Sequence, residues 1–176
     1  QARFISGSSG GGGFNSQGGV LGWTRQFTPT LTVSASGGLT FVEPAKKVQT
    51  LANLSLDWNY STATKVNLQY SRAILPSFFL AGLPLLSQTI SAGVTHSFSN
   101  NLRLSARANY AKSESIPTPL MAFTSYGGAL LATYTLSRTY SLNASYSYYT
   151  YDNKFLATEY GFDRHQVSLT LRAEWN

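Results

Sequence analysis

The 176 residues carry 13 Lys and Arg against 7 Asp and Glu, a net charge of +6, yet only 11% of the chain is charged while 43% is hydrophobic and 14% aromatic. About a quarter of the residues of a soluble domain are charged, so the balance is unusual for one; a mean hydropathy of -0.10 and the lack of any apolar run near the roughly 18 residues of a spanning helix exclude helical membrane topology. With no Cys a disulfide framework and a thiolate metal site are excluded, and basic residues scattered singly, apart from Lys46 and Lys47, make no phosphate-tracking stripe, so no nucleic-acid partner is expected.

Nothing in the composition marks a second domain, and residues 1–176 read as one. Gln1 to Gly10 lack the basic and apolar regions of a signal peptide, which reads as a mature or truncated form. A first strand is placed at 2–9, where alternation is poorest. The run "GSSGGGG" (Gly7 to Gly13) lacks the Lys and following helix of a phosphate cradle and reads as a flexible loop. Strands follow at 18–27 and 30–42, the latter alternating Leu31, Val33 and Ala35 with Thr32, Ser34 and Ser36. At 49–60, Leu54, Leu56, Trp58 and Tyr60 alternate with Asn53, Ser55, Asp57 and Asn59. Further strands are expected at 65–75, 88–98, 101–112, 125–136, 139–151 and 163–175. In the last, Val167, Leu169, Leu171, Ala173 and Trp175 alternate with Gln166, Ser168, Thr170, Arg172 and Glu174. Period two with one greasy and one wet face is the mark of a strand. Most of these run 10 to 13 residues, long for soluble strands and matched to a tilted bilayer crossing.

The connections alternate as well. Thr28-Pro29, Ser61 to Thr64, Ser99-Asn100 and Ser137-Arg138 are short, while those at 10–17, 43–48, 76–87, 113–124 and 152–162 are long. Short periplasmic turns and long extracellular loops are the habit of outer-membrane barrels. Aromatic girdles at the two interfaces are the second mark of that architecture. The outward set on the short-turn side is Trp23, Phe27, Trp58, Tyr60, Phe98, Tyr134, Tyr140 and Trp175; on the long-loop side it is Phe41, Tyr110, Tyr126 and Tyr148. A soluble sandwich would bury its apolar face and has no use for such bands.

The repeated hairpin, the phrase "FTPTLTVSASGG" and the closing "QVSLTLRAEWN" resemble Gram-negative outer-membrane β-barrel proteins. Within that class the chain is similar to β-barrel porins associated with exopolysaccharide systems. The class usually ends on an aromatic residue, whereas here Asn176 follows Trp175. The expected fold is all-β: an antiparallel up-and-down transmembrane β-barrel of about ten strands in this chain, either closed on itself or the C-terminal part of a larger ring. The expected location is the bacterial outer membrane, with the lipid bilayer and lipopolysaccharide as surroundings.

Inward positions are mostly Ser, Thr, Asn, Gly and Ala, with Asp57, Lys65, Arg103, Arg107, Arg172 and Glu174 as the lumen-lining charges. Groups this small fill a ten-strand interior poorly. Three readings stay open: a wet lumen, a lumen occupied by another element, or a larger ring. A wet lumen with this charge excess biases passage weakly toward anions. Two long loops are greasy: Phe78, Phe79, Leu83 and Leu85 in the first, Leu120, Met121 and Phe123 in the second. They read as a mutual cap, a constriction folded into the pore, or a patch for a protein partner at the loops or in the lumen, the last preferred because the first loop is so apolar. His96 and His165 fall on the outward register, and no catalytic or cofactor-binding set is expected. Tyr149 and Tyr151 point inward near the outer mouth, where they could stack on a sugar. The leading expectation is a pore or export conduit for polar solutes, polysaccharide included; its rival is a non-conducting scaffold that anchors an envelope complex through the greasy loops.

Overall fold

The computed structural model describes residues 15–43, 45–77, 83–118, 120–155 and 158–173. Over them run nine strands: β1 (Asn15–Thr28), β2 (Leu31–Glu43), β3 (Lys47–Trp58), β4 (Thr64–Pro76), β5 (Pro84–Ser97), β6 (Leu102–Ser115), β7 (Met121–Thr135), β8 (Tyr140–Phe155) and β9 (Thr158–Ala173). They form one antiparallel sheet in sequence order, an up-and-down meander. The strand expected at 2–9 lies outside the described residues.

Directly paired residues share a face of the sheet, so the register sorts every side chain. Leu54 lies opposite Tyr70, Tyr70 opposite Ile90, Ile90 opposite Tyr110 and Tyr110 opposite Tyr126, which makes one apolar face. Among the described residues nothing covers its large side chains: Leu130 is 56% exposed and Val167 78%. A β-sandwich would cover such a face with a second sheet, and among the described residues there is none.

The polar face behaves differently, because its short side chains bond sideways to the next strand. Thr24 Oγ1 donates to Ser34 at 3.0 Å, Ser71 Oγ to Asn53 at 2.8 Å and Thr133 Oγ1 to Asn143 at 2.8 Å. The hydroxyls of Thr95 and Ser105 lie 3.0 Å apart, and those of Ser145 and Ser168 2.7 Å apart. Ser, Thr and Asn are the right length to reach one strand over and no further.

Three of the short turns share one device. Ser61 Oγ accepts the amides of Ala63 and Thr64 at 3.2 and 3.0 Å. Ser99 Oγ does the same for Asn101 and Leu102, and Ser137 Oγ for Thr139 and Tyr140. A hydroxyl that captures the two following turn amides replaces backbone partners the tight reversal cannot supply. At the first turn Thr28 Oγ1 accepts from the Thr30 amide at 3.3 Å, and a bulge between Gln26 and Thr28 carries Phe27.

At the opposite rim the strands are longer than hydropathy alternation foretells. The connections expected at 43–48, 113–124 and 152–162 shrink because β3 starts at Lys47, β6 reaches Ser115, β8 reaches Phe155 and β9 starts at Thr158. Where both faces meet water, backbone pairing continues while the apolar-polar rhythm that marks a strand fades. Among the described residues β1 pairs with β2 alone and β9 with β8 alone. In an antiparallel order β1 and β9 run the same way, so they cannot close the ring on each other as an antiparallel pair.

Candidate functional site

The polar face is where the chain's chemistry gathers. Register places Asp57, Lys65, Arg103, Arg107 and Arg172 on it, the face expected of them; Glu174 lies outside the described residues. Asp57, Asn67, Gly93 and Arg107 form one lateral row. A methyl group at Gly93 would fall 2.4 Å from Asn67 Oδ1, so the missing side chain is what lets Asn67 lie across β5. All five charges are exposed. Among the described residues, none of Asp57, Lys65, Arg103 and Arg107 forms an ion pair.

Two more cations share the face. Lys47 pairs with Val42 at the head of β3, and Arg164 pairs with Tyr149 in β9. The described polar face therefore carries Lys47, Lys65, Arg103, Arg107, Arg164 and Arg172 against Asp57 alone. The ion pairs Lys112–Glu114 and Lys154–Glu159 lie on the apolar face, beyond its upper tyrosines. Arg164 was reachable from sequence, because it has the parity of Gln166 and Ser168. Lys47 was not, since it fell in an expected loop.

The long-loop end of this face is partly covered. Val42, Leu85, Ile116 and Met121 are buried there with Thr40, Ser87, Ser113, Ser115 and Ser125. Ser115 Oγ donates to the Thr118 carbonyl at 2.7 Å and accepts the Met121 amide at 3.0 Å, pinning the β6–β7 loop. The Ile116 amide donates to the Pro84 carbonyl at 3.0 Å. Lys47 Nζ reaches the Pro117 carbonyl at 3.2 Å, although β4 and β5 stand between their strands in the sheet. That bond requires the sheet to curl toward its polar face, which is concave, and the hairpin tip and loop lean across its mouth. The β3–β4 pairing stops at Ala52 and Arg72, leaving the upper β2–β3 hairpin free to bend. Of the greasy set, Leu85 and Met121 are thus buried, Leu83 and Phe123 half-buried, and Leu120 exposed; Phe78 and Phe79 lie outside the described residues.

The convex face has two aromatic levels. Trp23, Phe27, Trp58, Tyr60, Phe98, Tyr134 and Tyr140 are exposed toward the short-turn end, with Trp23 edge-on to Phe27 and Trp58 edge-on to Tyr60; Trp175 lies outside the described residues. Tyr134 and Tyr126 in β7, like Tyr140 and Tyr148 in β8, stand eight positions apart. At about 3.4 Å per residue that is about 27 Å along a strand, or about 21 Å after a tilt of roughly 40°, close to the apolar band of about 25 Å on a membrane barrel. His96 and His165 are on this face, bonded through Nδ1 to the hydroxyls of Thr64 (2.7 Å) and Tyr146 (2.9 Å).

Residues 45–175, from the β2–β3 turn through β9, match the family described as "Putative beta-barrel porin 2". The chain belongs to this β-barrel porin family. No curated protein matches it. For a porin, the concave polar face is the pore side and the convex apolar face the membrane side. Among the described residues β1 and β9 have no second neighbour, which is consistent with nine consecutive strands of a barrel wall.

Proposed function

We propose that this porin chain forms the wall of an outer-membrane pore for polar solutes, acidic ones favoured and polysaccharide chains included. The observation that carries the reading is the pore face itself. Its short side chains are tied sideways into the wall, and its described charges are six cations against Asp57. Side chains that bond within the wall leave the interior to water, and fixed cations lining a wet passage raise the local concentration of anions. The covering of Leu85, Ile116 and Met121, with the bond from Lys47 to Pro117, supports a constriction at the mouth over a docking patch. His96 and His165, held on the membrane side, support a conduit without a reaction of its own. Arg72 and the ion pairs Lys112–Glu114 and Lys154–Glu159 lie on the apolar face beyond the upper tyrosines, where charged lipopolysaccharide headgroups would meet them.

The test is reconstitution of the full-length protein in a planar bilayer under a salt gradient. The reversal potential should report anion preference, and Arg103→Glu with Arg107→Glu should shift it toward cations. A correctly inserted protein that passes no current would overturn the reading.

A further inference from the structure

Four aromatic rings form a continuous chain on the pore face near the mouth, across three strands. Phe123 of β7 stacks on Tyr151 of β8 with centroids 6.1 Å apart and planes 28° apart. Tyr151 meets Phe162 of β9 at 5.5 Å and 32°, and Phe162 meets Tyr149 at 6.0 Å and 46°. Consecutive rings thus lie at similar spacing and similar tilt. Phe162 is 54% exposed on the last described strand, and the rows of this face just below the rings pair Ser147 with Gln166, Ser145 with Ser168 and Asn143 with Thr170. A glycine makes the lowest step possible: a methyl group at Gly127 would lie 3.3 Å from the Tyr149 ring and 2.7 Å from the Tyr148 carbonyl.

Polar groups flank the rings. Arg164, directly opposite Tyr149, donates to Gln166 Oε1 at 3.2 Å. Asn153, opposite Phe123, holds its Oδ1 buried without a hydrogen-bond partner. We propose that Phe123, Tyr151, Phe162 and Tyr149 are a binding track for carbohydrate chains, a refinement that rests on the pore reading. Sugar rings have apolar C–H faces that lie on aromatic rings and hydroxyl edges that need donors and acceptors beside them, and this track offers both. Single-stranded nucleic acid also stacks on aromatics but needs a run of cations along its backbone, and among the described residues of β7 to β9 Arg164 is the one cation on this face beside these rings. An apolar solute would leave Asn153, Arg164 and the tyrosine hydroxyls without use.

The experiment measures equilibrium binding of maltohexaose to the full-length protein in detergent micelles by calorimetry, with polyethylene glycol of equal size as the non-sugar control. Maltohexaose should bind and the glycol should not. Tyr151→Ala and Phe162→Ala should each weaken binding about ten-fold, the scale of one lost ring contact, while Tyr151→Phe, which keeps the ring, should bind within about three-fold of the parent. Absence of sugar binding, equal binding of the glycol, or alanine variants that bind like the parent would each overturn the track. Because no current is measured, sugar binding by a protein silent in the bilayer would sink the pore reading and leave the track standing.

Discussion

Ser61, Ser99 and Ser137 each hold two turn amides with one oxygen, so the three turns should lose the same thing when it is removed. Each Ser→Ala change is expected to lower stability by about 1 kcal/mol, the net worth of a hydrogen bond or two in exposed turns, read as a lower urea midpoint for the protein folded into lipid vesicles. Gly127 is a position of a different kind, where space is the constraint. Gly127→Ala already sets a methyl group against the Tyr148 carbonyl and the Tyr149 ring, so β7 and β8 must part locally, and both sugar binding and the urea midpoint should fall. At this scale much was readable in advance. Parity alone sent Asp57, Lys65, Arg103, Arg107 and Arg172 to the pore face and both histidines to the other, because one step along a strand reverses the direction of the side chain.

Strands were legible where the membrane enforces a contrast between their faces and less so beyond it. Phe162 and Arg164 show the difference: the first fell within an expected loop at 152–162 and the second inside the strand expected at 163–175, yet β9 begins at Thr158. Above the upper tyrosines the chain alternates no longer, although its backbone pairing persists. The β2–β3 hairpin adds a contact that no local pattern encodes, since Lys47 and Pro117 lie 70 positions apart. If that bond holds the constriction, Lys47→Ala should raise single-channel conductance and increase current noise. Stability should change by less than about 1 kcal/mol, as expected of a single exposed hydrogen bond. Unchanged conductance would show that the strap does not narrow the path.

For the molecule as a whole, the assignment of faces makes a paired test available in adjacent residues. Leu130 stands midway between Tyr126 and Tyr134 on the membrane side, and Leu131 faces the pore. Leu130→Arg should cost about 2–4 kcal/mol of folding free energy in vesicles, the price of a cation at the bilayer midplane, whereas Leu131→Arg should be nearly neutral and strengthen anion preference. Equal effects would refute the placement. The outer edges of β1 and β9, unpaired among the described residues, carry a further requirement, because unpaired amides in hydrocarbon cost several kcal/mol each. With β1 and β9 running in the same direction, a fully antiparallel ring needs an odd number of further strands, from this polypeptide or another. The sequence by itself determined the all-β class, the up-and-down order and which residues lie on the apolar face, since period two and turn chemistry are local. Only the tertiary structure decided the covered mouth, the row of aromatic rings and the place of Lys47 among the described cations of the polar face, because each is assembled from residues on different strands whose neighbours are set by register across the sheet.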